Sequence, residues 1–504
     1  MLESPESLYK REWTFNKEDP STPPSFGVCF SGGGNRSAAF AIGVLGALHD
    51  LGLLTKVDVM SAVSGGSYAL AWFLLQPFYD SASVSDPRAA LPRVQEKMFD
   101  VHGPFQRYLA DHAKPLGVLR WEVFPVILAA DAILFNVLRL LSLPFGKVAR
   151  LAAQINAQSA ARQQYREGIQ RDYQVFPDLE NKVPLNRSTL LEQTFQASQF
   201  LVLTIDDVPP VSFPALTAFA QRAALPSFVF NTTVTPPKPG EGIRLKERIF
   251  ELGSMGFGSD SCGYLTWEDT EKLGWEPGAR LERGWFWNPA SPYATIRNFN
   301  IAPAISGAAV DAPNIEEWKL RWLLRLLNLG LAYVVPNPKD PRHLVRLSDG
   351  GHSENLGAYA LLRRRCRTIL IVDAEHDPAY SFGAYQKIKQ AASDDLGVEL
   401  NVPCIEKILS RKGAFSADTP IMEGTTSNGK LFYLKLSMHE ALLGDQTAIV
   451  KSYAEMHKTF PQESTVNQYF GPDRFGAYRA LGYAIARTWG PNIVPGGARE
   501  TRSL

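Results

Sequence analysis

The sequence predicts an α/β fold, with a largely parallel central sheet flanked by helices and with a helical apolar insertion. Short apolar runs typical of buried strands alternate with helical stretches, and this order favours parallel strands joined by crossover helices. Three of the runs are followed by glycine-rich turns, and ligands bind at such strand ends in open α/β sheets. The strand-like runs cover residues 27–30, 57–63, 200–205, 227–232, 344–347 and 368–373.

The first glycine-rich turn contains Gly32, Gly33 and Gly34, and Arg36 lies at the start of a helix that we predict to extend to about residue 51. Consecutive glycines are costly to order and are typical of backbone that approaches a ligand closely or adopts positive φ. The phosphate-binding patterns G-x-x-x-x-G-K-[ST] and G-x-G-x-x-G do not fit. We therefore interpret the turn as an oxyanion hole and Arg36 as a charge-stabilising side chain, with a surface arginine as the alternative.

The second turn places a serine between a strand and a helix. Ser64 follows the run 57–63 and is flanked by Ala62 and Gly66, small residues that permit the strained backbone of a nucleophile elbow. The usual G-x-S-x-G pattern has glycine where this chain has Ala62. The alternative is an ordinary glycine-serine turn in which Ser64 or Ser67 caps the next helix.

The third turn contains Asp349, Gly350 and Gly351, shortly after the run 344–347. An isolated Asp-Gly pair is a common turn with a structural role, so it indicates a functional site only in combination with the other two turns. An aspartate with an ordinary pKa of about 4 is a weak base toward a serine hydroxyl. If Asp349 accepts the proton of Ser64, partial burial beside the serine must therefore raise the pKa of Asp349 or strengthen the hydrogen bond between the two side chains.

The three turns together resemble those of a known family. The motifs Ser-Gly-Gly-Gly-x-Arg, x-x-Ser-Gly-Gly-Ser and Asp-Gly-Gly-x-x-x-Asn-Leu-Gly occur here in the same order as in the patatin-like phospholipases and the related cytosolic phospholipase A2 catalytic domains. The resemblance covers about residues 27–377 and implies a Ser-Asp dyad without histidine. The positions that it assigns are Ser64 as nucleophile, Asp349 as general base, Gly33 and Gly34 in the oxyanion hole and Arg36 as the motif arginine.

A histidine base is the alternative to the dyad. In the chain order of α/β-hydrolases, the histidine of a triad follows the acid, which restricts the candidates to the later part of the chain. None of them lies in a glycine-rich context. His352, three residues after Asp349, is expected to lie near the site and to tune it or contact substrate. The triad candidates are His376, His439 and His457, with acids such as Asp206 and Asp373.

We predict a single patatin-like catalytic domain over residues 1–504. The serine and aspartate turns are separated by about 285 residues and yet must form one site, so insertions within one core are favoured over separate domains. The motif-bearing core covers about residues 25–380, with a helical insertion at about 100–195 and a C-terminal extension at about 381–504. Further predicted elements are a solvated helix over 154–174, a strand over 431–436 and a helix over 474–489.

Composition restricts the setting and the partners. The net charge of +1 gives no drive toward nucleic acid, and no motif calls for a metal or cofactor. The four cysteines have no close spacing, which favours free thiols in a reducing compartment. Residues 1–24 contain no apolar stretch typical of a secretory signal, so we expect a cytoplasmic protein, with peripheral contact to the membrane as an open alternative.

Two apolar segments are candidates for membrane contact. Residues 121–145 are overwhelmingly apolar, but Asp131 and Arg139 interrupt them, and each charge at the centre of a spanning helix costs roughly 2.5–3.5 kcal/mol. A buried helical hairpin or an interfacial element is therefore favoured over a membrane span. Residues 315–329 predict an amphipathic helix with Trp318 and Trp322 on its apolar face, which either packs on the sheet or forms a lid or membrane contact.

The sequence thus predicts a serine lipid acyl hydrolase that releases fatty acid from a phospholipid or related acyl ester through an acyl-Ser64 intermediate. Two alternatives remain open. One is a lipid-binding or membrane-docking module with little turnover, although a binder has no need for Ser64 and Asp349 together. The other is an acyltransferase that uses the same dyad with an alcohol acceptor in place of water.

Overall fold

The structure is a computed structural model that describes most of the chain in several ranges. No helix in these ranges is both long enough and apolar enough to cross a membrane. The predicted strand over 200–205 and the apolar segments 121–145 and 315–329 lie outside them, as does most of the predicted insertion. The described residues are 2–13, 15, 22–112, 160–175, 211–235, 244–272, 294–308, 333–340, 344–410, 421–465 and 468–493.

Within the described ranges, twelve strands form one mixed sheet whose centre is parallel. In chain order the strands are β1 Phe26–Phe30, β2 Val59–Val63, β3 Ser227–Thr235, β4 Ile249–Gly253, β5 Gly256–Ser259, β6 Gly263–Thr266, β7 Tyr333–Pro336, β8 Leu344–Asp349, β9 Thr368–Asp373, β10 Leu400–Asn401, β11 Ile421–Thr426 and β12 Gly429–Lys435.

Helices of the described ranges flank the sheet. Those longer than a single turn are α1 Pro5–Trp13, α2 Gly34–Asp50, α3 Gly65–Ser81, α4 Pro87–Phe99, α5 Pro104–His112, α6 Ala160–Tyr173, α7 Phe213–Arg222, α8 Leu245–Arg248, α9 Trp267–Lys272, α10 Ala294–Arg297, α11 Ala302–Ser306, α12 Ala358–Arg363, α13 Gly383–Ala391, α14 Pro403–Ser410, α15 Thr447–Met456 and α16 Pro472–Trp489.

The predicted α/β class is confirmed, and the parallel part of the sheet is its centre. Strands β12, β9, β1, β2 and β3 run parallel in that spatial order. Their buried faces explain why the sequence shows continuous apolar runs there and not an alternating pattern. The margins of the sheet are antiparallel, because β4 to β6 and β11 to β12 are joined by turns too short for a crossover helix.

The strand that joins the two halves of the candidate site is β3. Strand β2 runs parallel to β3 and ends with Val63 paired to Asn231. Strand β8 runs antiparallel to β3 and pairs Asp349 with the next residue, Thr232. The carboxyl ends of β2 and β8 therefore approach each other head-on along β3. This arrangement brings the residues that follow Val63 next to the end of β8.

The burial of helix α6 differs from the sequence prediction. The sequence predicts a solvated helix over residues 154–174, but Tyr165, Ile169 and Tyr173 are buried on one face of α6. The polar composition of this segment suggested exposure to solvent, but its tyrosine side chains are buried and their hydroxyls form hydrogen bonds in the interior. The Tyr173 hydroxyl donates to Asn35 Oδ1 over 2.6 Å. Burial of tyrosine is tolerated when its hydroxyl is hydrogen bonded.

The C-terminal helix α16 packs directly on α2. A Cβ atom on Gly43 of α2 would lie 2.0 Å from the carbonyl oxygen of Arg479, and one on Gly482 of α16 would lie 2.3 Å from the carbonyl oxygen of Phe40. Real Cβ atoms do not approach backbone oxygen this closely, so glycine at both positions permits the contact. The residues after 381 thus supply both a helix of the core and strand β12 of the sheet.

We predict that Gly482→Ala destabilises the protein. The added methyl group must push α16 away from the α2 backbone, and such overpacking costs about 1–3 kcal/mol. Urea unfolding measures this change in the free energy of unfolding. The control is Gly476→Ala in the same helix, where a Cβ meets nothing within 4 Å; alanine there should stabilise by up to about 1 kcal/mol. Equal effects of the two substitutions would contradict the proposed close packing.

Candidate active site

Ser64 forms a strained elbow between β2 and α3. Its φ of 48° and ψ of −120° are rare for a residue with a side chain. The neighbouring glycines permit this geometry, because a Cβ on Gly65 would lie 2.0 Å from the Gly34 oxygen and one on Gly66 would lie 2.5 Å from the Phe30 oxygen. Ala62 lies inside β2, where its methyl group is buried.

The helix-capping alternative for Ser64 is wrong. Ser64 occupies the N-cap position of α3, but its side chain makes no capping hydrogen bond. Its hydroxyl instead donates to Asp349 Oδ2 over 2.8 Å. The hydroxyl of Ser67, one turn further along α3, donates to Ser306 Oγ over 2.8 Å. Neither serine hydroxyl binds the free amides at the start of the helix.

Ser64 and Asp349 are therefore brought together across 285 residues of chain. Both are buried, with 8% and 6% of their surface exposed. The second carboxylate oxygen, Asp349 Oδ1, accepts from the Gly351 amide over 2.7 Å and holds the carboxylate in place. Gly350 packs against the backbone of Asn231 on β3, where a Cβ would lie 2.3 Å from the carbonyl oxygen.

No histidine among the described residues hydrogen bonds with Ser64 Oγ. A Ser-His-Asp triad requires that contact, so the geometry disfavours His376, His439 and His457 as the base. His352 does lie near the site, as expected. Its Nδ1 is 3.2 Å from Ser348 Oγ.

The pKa of Asp349 is raised from its ordinary value. Burial of the carboxylate is the main cause, and it outweighs the opposing effects of the nearby His352, the Ser64 hydroxyl and the Gly351 amide. The direction is the one that a general base needs, because a carboxylate with a higher pKa binds a proton more strongly.

The glycine turn presents backbone amides at the start of α2. Gly33 and Gly34 have φ values of 143° and 59°, in the region that glycine adopts readily. They are the N-cap and the first residue of α2, where amides have no carbonyl partner within the helix and where the helix dipole favours negative charge. Gly32 differs, because its N–H donates to the Asn355 carbonyl over 2.8 Å and is not available to an oxyanion.

Arg36 is a buried residue of α2, so the alternative of a surface arginine is wrong. Only 2% of its surface is exposed. Its Nε donates to the Ala374 carbonyl over 3.0 Å and its Nη1 donates to the Glu463 carbonyl. Its Nη2 is buried without a hydrogen-bond partner among the described residues and lies 3.3 Å from the position of a Cβ on Gly33. Burial lowers the pKa of Arg36 to about 10, which keeps it charged at neutral pH.

Asn355 joins the glycine turn to the aspartate turn. Its carbonyl binds Gly32, and its Oδ1 lies 2.7 Å from the position of a Cβ on Gly351. Its Nδ2 donates to Glu375 Oε2 over 3.1 Å. Asn355 belongs to the third sequence motif, but the sequence alone assigned it no role. The structure gives it one, because its contacts span both turns of the candidate site.

A buried ion cluster lies behind Asn355, at the ends of β9 and β12. Lys435 Nζ lies 2.8 Å from Asp373 Oδ2 and 3.3 Å from Asp377 Oδ2. Asp373, a triad acid considered from sequence, is therefore paired with a lysine. Burial and the charge of Asp373 raise the pKa of the neighbouring Glu375 to about 7. The cluster fixes the end of β9, whose next residue supplies the carbonyl that binds Arg36.

The C-terminal part of the chain also reaches the glycine turn. The Asn35 amide donates to Gln468 Oε1 over 2.9 Å, and Asn35 Nδ2 donates to the Gln468 carbonyl over 2.6 Å. A Cβ on Gly34 would lie 2.1 Å from Gln468 Oε1. Sequence reasoning missed this contact, because no local pattern indicates a partner that is 433 residues away.

The fold is phospholipase A2-like. It is shared with the structure of human GIVD cytosolic phospholipase A2, at a TM-score of 0.57 and 15% sequence identity over 96% of this chain and 64% of that chain. Human GIVD cytosolic phospholipase A2 in complex with methyl gamma-linolenyl fluorophosphonate and terbium chloride also matches, at a TM-score of 0.49 and 15% identity over 96% of this chain and 60% of that one.

This chain thus spans less than two thirds of the length of those structures. At 15% identity the likeness concerns the fold. No protein-family model matches the chain, and no curated protein matches it in sequence. The resemblance to the patatin-like phospholipases therefore rests on the three motifs alone.

We predict that the reactivity of Ser64 falls at acid pH with an apparent pKa above the ordinary aspartate value of about 4. Protonated Asp349 cannot accept the serine proton, and burial raises the pH at which protonation occurs. The measurement is the rate of covalent labelling of Ser64 by a fluorophosphonate between pH 4 and pH 9, followed by mass spectrometry of the intact protein. Asp349→Asn should react slowly, and its labelling rate should lack the decrease at acid pH, called here the acid limb. An acid limb that persists in Asp349→Asn would show that another group causes the decrease.

Proposed function

We propose that the protein is a serine lipid acyl hydrolase that releases fatty acid from a phospholipid or a related acyl ester. The observation that carries this proposal is the 2.8 Å hydrogen bond from Ser64 Oγ to a buried Asp349 whose pKa is raised. A glycine turn that presents backbone amides at the start of α2 packs against the same elbow. The lipid substrate class is supported by the motifs and by the phospholipase fold.

In the first half of the reaction, Ser64 Oγ attacks the carbonyl carbon of the ester and Asp349 takes the hydroxyl proton. The carbonyl oxygen becomes an oxyanion, and the amides of Gly33 and Gly34 stabilise it. One such donor typically contributes about 3–4 kcal/mol to lowering the barrier. The intermediate then collapses, the proton on Asp349 moves to the leaving alkoxide, and an alcohol departs to leave acyl-Ser64.

In the second half, water attacks the acyl-Ser64 carbonyl. Asp349 accepts a proton from the water, and the same amides stabilise the second oxyanion. When this intermediate collapses, the proton on Asp349 returns to Ser64 Oγ and the fatty acid is released. The dyad thus returns to its starting state after one ester bond has been hydrolysed by one water molecule.

Arg36 supplies positive charge beside the glycine turn. Two of its donors bind backbone carbonyls and fix the guanidinium, so that the buried Nη2 is held near Gly33. We infer that Nη2 stabilises negative charge on the bound ester, at the oxyanion or at a phosphate. Among the described residues, Arg36 forms no ion pair, because the groups that its Nε and Nη1 bind are neutral carbonyls.

The function is tested with vesicles of mixed phospholipids and mass spectrometry of the released fatty acids. Wild type should release fatty acid, and Ser64→Ala and Asp349→Asn should each lower the rate about a thousandfold or more, because dyad residues act as a unit. Ser81→Ala is the matched control, since Ser81 is a buried serine of the same helix α3 whose hydroxyl donates to the neighbouring Asp80.

Each of the other outcomes would indicate a different mechanism or function for this protein. Release that survives Asp349→Asn but not Ser64→Ala would point to a different base. Transfer of the acyl group to an added alcohol in preference to water would identify an acyltransferase. Vesicle binding by wild type without any acyl release would favour a lipid-binding module.

We predict that Arg36→Ala lowers kcat on phospholipid about 10- to 100-fold, because a fixed charge beside the oxyanion is lost. The substitution also leaves the Ala374 and Glu463 carbonyls without their donor, so thermal unfolding must be measured in parallel. Arg36→Lys keeps the charge but not the geometry of three donors, and it should recover only part of the rate. A wild-type kcat in folded Arg36→Ala would remove Arg36 from the mechanism.

A further inference from the structure

Ser306 is a fully buried serine at the end of α11 whose hydroxyl contacts the nucleophile elbow. Its Oγ accepts from the Ser64 amide over 2.9 Å and from the Ser67 hydroxyl over 2.8 Å. It donates to the Asn231 carbonyl over 2.7 Å. These contacts connect the elbow, helix α3 and strand β3 through one oxygen atom.

The hydrogen-bonding capacity of this hydroxyl is completely used. A serine hydroxyl has one donor and two acceptor positions, and Ser306 fills all three. A buried serine that only fills space does not need three partners. Ser254 illustrates this, because its hydroxyl is fully buried and has no hydrogen-bond partner in the described part of the chain.

The two residues after Ser306 continue the connection to the other member of the dyad. The Gly307 carbonyl accepts from the Tyr165 hydroxyl over 2.6 Å, which ties the segment to α6. The Ala308 carbonyl accepts from the Asp349 amide over 3.1 Å. Residues 306–308 thus hold the backbone amide of Ser64 at one end and that of Asp349 at the other.

The bond to the Ser64 amide matters because Ser64 is strained. A residue with φ of 48° and ψ of −120° persists only when its surroundings hold it there. The Ser306 hydroxyl fixes the orientation of the Ser64 peptide plane, and the plane sets the direction of the Ser64 side chain toward Asp349. Loss of this bond would leave a buried amide unsatisfied at the most strained residue of the site.

We propose that Ser306 is a positioning residue of the dyad, which holds Ser64 Oγ on Asp349 through the three-residue bridge 306–308. This inference rests on the proposed acyl hydrolase function. It assigns to Ser306 no contact with substrate. It predicts that the reactivity of Ser64 depends on the hydrogen bonds of Ser306 and not on the volume of its side chain.

The test compares wild type with Ser306→Ala, Ser306→Cys and the control Ser254→Ala. Ser306→Cys preserves the size of the side chain but replaces the hydroxyl with a weakly hydrogen-bonding thiol. The readouts are thermal unfolding, the rate of fluorophosphonate labelling of Ser64 as a function of pH, and kcat and KM on phospholipid vesicles. Labelling needs no lipid substrate, so it separates the positioning of Ser64 from the identity of the substrate.

We expect Ser306→Ala and Ser306→Cys to label about 10- to 100-fold more slowly, because small misplacements of a reacting group cost rates of that order. Their acid limb should move to higher pH, because the Ser64 hydrogen bond lowers the pKa of Asp349 and would be weakened. On phospholipid, kcat should fall and KM should not change. Ser254→Ala should behave as wild type in every readout.

Wild-type labelling and an unchanged acid limb in a folded Ser306 variant would overturn the inference, and so would full recovery by Ser306→Cys. Failure of the proposed function has a different signature, in which wild type labels at Ser64 but releases no fatty acid from any lipid. Absence of labelling in wild type would overturn both the dyad and its positioning residue.

Discussion

The candidate site depends on the way two strands end against β3. Strand β2 arrives parallel and β8 arrives antiparallel, and their ends occupy consecutive positions, opposite Asn231 and Thr232. The residue after β2 is Ser64 and the last residue of β8 is Asp349, so the sheet itself brings hydroxyl and carboxylate within 2.8 Å. Neither side chain needs a flexible loop to reach the other. The same burial that closes this junction raises the pKa of Asp349 and makes the carboxylate a stronger base.

Close backbone packing holds the rest of the site around this junction. Gly65 lies against Gly34 and Gly66 against Phe30, so the serine elbow and the glycine turn touch without intervening side chains. The amides at the start of α2 therefore lie beside the nucleophile. Arg36 adds a buried positive charge that is fixed by neutral carbonyls. The combination places fixed donors near a nucleophile, which is the arrangement that stabilises developing negative charge with little reorganisation.

The sequence indicated the features of the site that lie in short motifs, but it did not indicate strand direction or contacts between residues far apart in the chain. Ser64, Asp349 and the glycine turn lie in short motifs whose residue types follow from backbone strain and close approach, so they were predictable. The antiparallel direction of β8 was not, because strand direction is set by connections that a single run does not encode. The burial of α6 was missed because Tyr165 and Tyr173 bury hydroxyls whose partners are far away in the chain. Ser306 was missed for the same reason, since 242 residues separate it from Ser64.

The proposed mechanism requires that Ser64 carry the acyl group during turnover. The most direct measurement mixes enzyme with phospholipid vesicles, stops the reaction with acid within milliseconds to seconds, and analyses the peptide that contains Ser64 by mass spectrometry. We expect a fatty acyl mass on Ser64 in wild type, formed at a rate no slower than fatty acid release and absent in Ser64→Ala. Fatty acid release without any acyl-Ser64, or an acyl group on a different residue, would contradict it.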